Sequence, residues 1–365
     1  MVGSSTSRLV ATFACTAVVF ALGACSSDGG EALEGAPNAE ASGRPSGGDP
    51  TPDAGAPAQT APPTTPPPTT PPPASEPKKM LWGVNGHTLR QYYPVSQTEA
   101  IFRLLHDNGL KTYRFDVPAT ATDVLDAIVP LAKQYGIALR PMLYPTSKIT
   151  AYNLAKRYAA DIQIWEIGNE VDLQPELVES RIPEMVTTAQ GIQQAATELG
   201  LPIKTSINFT NCNSDDLGGR CGGDPNGDLW FLDKAWNAGF KFDYITYHWY
   251  PYFGDKGYWY NMYFGQMRAA ATKYKTHIFF NEVNCGDVYH GIYDGGHPGD
   301  GACYDSIRQL FTEIQTNYAD IIDEVDMYEL IDQPNNPGVE AHFGLRYDLT
   351  NPKPLFDLLV QTAAK

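Results

Sequence analysis

From Met80 onward the sequence alternates between short runs rich in β-branched and aromatic residues and longer stretches with helical periodicity. This alternation constrains the fold more than any other feature. The β-rich runs are Met80–Asn85, Thr112–Val117, Ile137–Leu143, Ile162–Ile167, Ile203–Asn208, Phe242–Tyr247, His277–Asn281 and Glu324–Leu330. Helical patterns cover Gln97–Asn108, where Ile101, Leu104 and Leu105 share a face, then Asp123–Tyr135, Lys148–Ala160, Glu176–Leu199, Leu229–Ala238, Tyr263–Tyr274, Tyr304–Tyr318 and Lys353–Ala364. Eight strand–helix units in the 288 residues from Lys78 match, in number and length, an α/β (β/α)8 TIM barrel forming a single domain. A doubly wound sheet would alternate too, but its first strand would lead into a Gly-rich phosphate turn. Here Trp82-Gly83-Val84-Asn85-Gly86-His87 stands instead.

The residues before the barrel have another character. Residues 26–77 hold 14 of the 29 prolines and one large apolar side chain, Leu33, so they cannot bury a core. Ahead of them, Arg8 precedes the 14-residue apolar run Leu9–Leu22, too short for a spanning helix of roughly 20 residues. It reads as a secretory signal. The run ends in Leu22-Gly23-Ala24-Cys25-Ser26-Ser27, which resembles the bacterial lipobox, where the Cys becomes the acylated first residue; the alternative is an ordinary cleavage site with an incidental Cys. The expected organisation is therefore a lipoprotein signal peptide over 1–24, a lipidated Cys25 with a disordered Pro-rich linker over 25–77, and the barrel over 78–365. Extended at about 3.1 Å per residue, such a linker reaches on the order of 150 Å. The protein is then an extracytoplasmic, membrane-anchored lipoprotein.

Cys212, Cys221, Cys285 and Cys303 remain for the exported domain, a disulfide-permissive setting. Of three connectivities, 212–221 with 285–303 closes the shortest loops. The Cys-x8-Cys and Cys-x17-Cys spacings lack the short pair of a structural zinc site. The chain carries a net charge of −16 and has no basic run, which argues against nucleic acid or an anionic membrane surface as a partner.

Barrel chemistry sits where strands end. The fourth β-rich run ends in Trp165-Glu166-Ile167-Gly168-Asn169-Glu170 and the seventh in Phe279-Phe280-Asn281-Glu282-Val283-Asn284, placing two carboxylates on one rim. Glycosidic hydrolysis needs such a pair: a protonated carboxyl to release the leaving oxygen and an ionised one to attack or to activate water.

These two motifs resemble those of the clan A glycoside hydrolases, retaining barrel enzymes whose acid/base follows an Asn at strand 4 and whose nucleophile ends strand 7. The resemblance implies Glu170 as acid/base, Asn169 as donor to the sugar 2-hydroxyl and Glu282 as nucleophile. Tyr247-His248-Trp249-Tyr250 is similar to the clan's His-x-Tyr, implying that Tyr250 donates to the nucleophile, and Arg114 matches the strand 2 Arg that supports it. Tyr347-Asp348-Leu349-Thr350-Asn351-Pro352-Lys353-Pro354 looks like the closing turn and last helix of many members. One departure is at strand 8, where the clan often places a Trp under the sugar and this chain reads Tyr328-Glu329-Leu330-Ile331-Asp332-Gln333; that looks more like family 39 and its relatives.

The remaining residues allow two readings each. Glu166, four before Glu170, reads as a barrel-interior partner. Arg114 and Asp116 pair across one strand face, or Arg114 serves the site. Asn85 and His87 bind sugar, or His87 is a satisfied rim histidine. His248 binds substrate or orients a loop. Trp249, Tyr250, Tyr252, Phe253, Tyr258, Trp259 and Tyr260 offer flat rings for sugar faces. Asp224, Asn226 and Asp228 suggest a calcium loop, but Leu229 replaces the Gly such a loop needs, leaving a solvated turn. The expectation is a retaining hydrolase of a polysaccharide or oligosaccharide, monomeric, meeting the membrane through lipid alone, with no cofactor and no metal. Two rivals are a non-catalytic carbohydrate-binding lipoprotein and a metal-dependent hydrolase using His87, His248 and acidic residues.

Overall fold

The computed structural model describes residues 79–88, 90–120, 122–210, 229–249, 256–284, 303–336 and 341–365. All described residues belong to the unit Pro71–Lys365. The signal segment, Cys25 and the whole linker over 25–77 lie outside the described residues. Among those described, no helix is long and apolar enough to cross a membrane.

Eight parallel strands close into a barrel in sequence order. They are β1 (Leu81–Gly86), β2 (Thr112–Val117), β3 (Ala138–Leu143), β4 (Ile164–Ile167), β5 (Lys204–Phe209), β6 (Tyr244–Trp249), β7 (His277–Val283) and β8 (Ile322–Met327). The helices are α1 (Thr98–Asp107), α2 (Thr122–Tyr135), α3 (Lys148–Arg157), α4 (Pro175–Leu199), α5 (Trp230–Asn237), α6 (Lys256–Tyr274), α7 (Cys303–Glu313) and α8 (Pro354–Ala363). This is the TIM barrel that the alternation implies. The bounds move by a few residues, because apolar runs mark burial while ladder pairing decides where a strand stops. β8 shows the reason most clearly. It begins two residues earlier than its apolar run and ends at Met327, after which the Leu330 N–H still donates to Asn85 of β1 while Glu329 and Leu330 also bond with Phe343, Leu345 and Arg346.

Both faces of each strand are covered, as parallel sheets require. The outward positions Val84, Phe115, Leu143, Ile167, Ile207, Ile245, Phe280 and Val325 are each at most 1% exposed and join the apolar core shared with the helices. The inward positions are largely polar. Arg140 of β3 grips Glu324 of β8, with Nη2–Oε2 at 2.7 Å, and lies over the Phe279 ring at 5.6 Å. Thr112 donates to Asp326, and no side chain is tolerated at Gly83, where a Cβ would run into Thr112 and Asp326. Burial and the neighbouring Glu324 push the Asp326 carboxyl well above its ordinary value. This charged plug fills the barrel beneath the rim.

Candidate active site

The rim is built outward from β4. Gly168 has φ +80°, a conformation open to glycine, and turns the chain out of the strand. Glu170 follows at φ +49°, a left-handed conformation that costs a non-glycine residue about 1–2 kcal/mol. Its N–H is accepted by Asn208 Oδ1 at 2.6 Å. Two residues later Asp172, fully buried, accepts from the backbone N–H and the Oγ1 of Thr210. Burial raises the Asp172 carboxyl to about 6 although the Thr210 bonds work the other way.

β7 supplies the opposite wall through an irregularity. Tyr247 pairs with Phe280 but His248 pairs with Glu282, and toward β8 Phe280 and Val283 pair with Val325 and Met327. One extra residue is thus absorbed in β7, the signature of a bulge. Asn281 and Glu282, adjacent in sequence, consequently both meet the barrel interior: Asn281 donates to Glu166 and Glu282 accepts from Arg114.

Arg114, 5% exposed, is the hub of the site. Nε and Nη2 donate to Glu166 at 3.0 and 2.7 Å, Nη1 to Asn85 Oδ1 and Glu282 Oε2 at 2.8 Å each, and Nη2 to Asn169 Oδ1 at 2.8 Å. All five guanidinium N–H groups are used. Burial opposes this charge, but Glu166 and Glu282 outweigh it and hold Arg114 protonated. Asn85 closes the network by donating to the Asn281 carbonyl at 2.8 Å.

His248 connects the two carboxylates. Its Nδ1 is 2.9 Å from Glu170 Oε1 and its Nε2 is 3.4 Å from Glu282 Oε2, with the imidazole 2% exposed. Burial lowers its pKa, yet Glu282 and Glu170 together raise it above the ordinary histidine value. One ligand atom from each of Glu170, His248 and Glu282 lies within 4.8 Å of the others, a spacing at which a divalent cation could bridge them. The Arg114 guanidinium already occupies the cationic role beside Glu282, so a second cation there meets repulsion. The Glu170 side chain is 31% exposed and that of Glu282 11%, so the pair faces the open mouth of the barrel.

A second polar group lies on the β1–β8 side. His87 is held between Asp116, Nδ1–Oδ1 2.8 Å, and Glu329, Nε2–Oε2 3.2 Å. Glu329 also accepts from Tyr93 and Gln333. Burial lowers the His87 pKa, but its two carboxylates raise it overall; Asp116, which burial would raise, is lowered by His87. Asp116 therefore serves His87 and not Arg114, which corrects the pairing across one strand face.

The structure thus brings together Asn85, Arg114, Asn169, Glu170, His248 and Glu282, with His87 alongside. Trp249 is a correction: it is 4% exposed and packs in the apolar core, because alternation along β6 turns it outward where His248 turns in. Tyr250, the aromatic segment 252–255, Cys212, Cys221, Cys285 and the Asp224–Asp228 cluster lie outside the described residues. Sequence reasoning missed Asn281, Asn208, Asp172 and Glu329. Asp172 carried a signal, a carboxylate two residues past Glu170; Asn281 did not, since strict alternation turns it away from whichever face Glu282 takes.

No protein-family model matches the chain, and no curated protein matches it. Among solved structures, the exo-β-1,4-mannosidase Op5Man5 from Opitutaceae bacterium strain TAV5 superposes with TM-score 0.51 at 14% identity, over 78% of this chain and 59% of that one. A β-galactosidase from Rahnella sp. R3 superposes with TM-score 0.52 at 11% identity, over 79% of this chain and 56% of that one. The chain spans less than two thirds of either enzyme, and at these identities the likeness is one of fold: the barrel of this chain is the barrel on which these glycosidases are built.

Proposed function

We propose that the protein is a retaining glycoside hydrolase acting on a polysaccharide or oligosaccharide. The observation that carries this reading is the placement of Glu170 and Glu282 oxygens within 4.8 Å of each other, with Arg114 bonded to Glu282 at 2.8 Å. Carboxyl groups about 5–5.5 Å apart suit double displacement, whereas inversion needs roughly 6.5–9.5 Å to admit water. A Glu282 oxygen attacks the anomeric carbon and forms a covalent ester as the bond to the leaving oxygen breaks, and Glu170 gives that oxygen its proton. Glu170, now ionised, takes a proton from water while the water oxygen attacks the anomeric carbon and frees the Glu282 carboxylate. Arg114, itself oriented by Asn85, keeps Glu282 aimed. Asn169, fixed by Arg114, offers its amide N–H₂ to the sugar 2-hydroxyl.

The mannosidase and galactosidase likeness makes β-linked mannosides and galactosides the first substrates to test. Membership near family 39, lipidation at Cys25 and the extracytoplasmic location belong to the same proposal. So does the 285–303 and 212–221 pairing, supported by Cys303 being buried at the head of α7 and not a free thiol. Proton NMR of the first-formed product tests the mechanism: the retained anomer is expected, and the inverted one rejects Glu282 as nucleophile.

A further inference from the structure

We infer that Asp172 and Thr210 are positioning residues for Glu170, their hydrogen bonds fixing the turn after β4 to the end of β5 and so setting the direction from which the Glu170 carboxyl meets a leaving group. The inference rests on the reading of Glu170 as acid/base. The turn is held at two points by β5. Asn208 Oδ1 accepts from the Glu170 N–H at 2.6 Å, and Thr210 reaches Asp172 with its backbone N–H at 3.1 Å and its Oγ1 at 2.6 Å. Between the two holding residues Phe209 is 1% exposed and packs on Phe231 and Tyr247, so the anchor is itself immobile. The first of the two held residues, Glu170, has a left-handed backbone, a conformation that persists only where its surroundings impose it. Asp172 lies in the 3-10 turn Val171–Leu173 and has no exposed surface. A buried carboxylate is a costly way to fill space, and an apolar side chain would serve packing better. What a carboxylate adds is two acceptors that lock one backbone geometry next to the acid.

The test uses leaving-group dependence, which a merely structural pin does not move. Phenyl and 2,4-dinitrophenyl β-mannosides and β-galactosides are compared on wild type, Thr210→Val, Thr210→Ser, Asp172→Asn and Glu170→Ala. A dinitrophenolate departs without a proton, whereas phenolate needs one. Thr210→Val is expected to lose about tenfold or more in kcat/KM on the phenyl glycoside, part of the 10²–10⁴-fold that general acid catalysis supplies, and to stay within about twofold in kcat/KM on the dinitrophenyl glycoside, since kcat/KM reports the first step, in which Glu170 acts only as acid. Thr210→Ser is expected to restore wild-type values. Equal loss on both substrates, loss on neither, or failure of Ser to rescue overturns the inference. Circular dichroism reports folding, and if Asp172→Asn does not fold the Thr210 pair decides. Should Glu170→Ala show the leaving-group split and Thr210→Val not, the inference alone fails. Should wild type cleave none of these glycosides, or Glu170→Ala show no split, the reading of Glu170 fails and takes the inference with it.

Discussion

Two guanidinium clusters share the interior of this barrel, and their arginines are register partners on neighbouring strands, Arg114 on β2 and Arg140 on β3. Arg140 holds Glu324, itself next to Asp326, and neither carboxylate has exposed surface. Arg114 holds Glu166 and Glu282 and, through them, a mouth where Glu170 is 31% exposed. The chemistry of the two clusters is alike; what separates them is access. Carboxylates sealed from solvent, as Glu324 and Asp326 are, can only hold strands together, while a carboxylate pair with one open edge can meet a ligand. Stability and reactivity should therefore respond to substitution in opposite ways.

The largest effect is expected at the open cluster. Glu282→Ala should lower kcat on the order of 10⁴-fold or more with the urea unfolding midpoint little changed, since removing one member of a catalytic set commonly costs that much. An unfolded variant, or one retaining activity, breaks the comparison. At the sealed cluster the reverse holds. Arg140→Leu should cost about 3–5 kcal/mol of unfolding free energy by stranding the Glu324 charge, while kcat per folded molecule stays near wild type. Urea titration and active-site-normalised rates decide between the two.

A smaller effect concerns pH. The Asp172 carboxyl is raised to about 6 from 3.8. Between these values the unfolded chain binds fewer protons than the folded one, so stability falls as pH rises through that window and levels off above it. The amplitude is roughly 3 kcal/mol, from 1.36 kcal/mol per unit. Asp172→Asn should flatten the stability profile between about pH 4 and pH 6, and a slope unchanged in urea titrations across that range would contradict the assignment. The smallest effect belongs to Tyr144, which follows β3 on the rim and is 50% exposed. If its ring lies under a sugar, as flat rings with polar edges suit, Tyr144→Ala should raise KM for an oligosaccharide a few-fold with kcat and stability unaffected. Equal KM values on oligosaccharide and aryl glycoside would remove it from the binding surface.

The sequence carried the barrel because each strand and helix satisfies a local pattern, and it carried Glu170, Glu282 and Arg114 because each ends or sits on a strand whose place in the order is countable. What stayed hidden depends on contacts between distant segments. His87 was ambiguous until Glu329 was seen to leave β8 and face it. Trp249 looked like a sugar platform because the face of β6 is undecided until His248 is known to point inward. Asn281 escaped because a period of two is the rule that reveals strands, and β7 breaks it.

That break has a consequence for anyone who alters the protein by insertion or deletion. The extra residue in β7 is what lets Asn281 bind Glu166 while its neighbour Glu282 binds Arg114. The strand is thus indexed like a key with two adjacent teeth. Its side chains can be exchanged one at a time, each at its own cost. Its length cannot change at all: dropping a single residue there moves the carboxylate one rung away from the guanidinium, and a β7 borrowed from a barrel with a regular strand would arrive one position short.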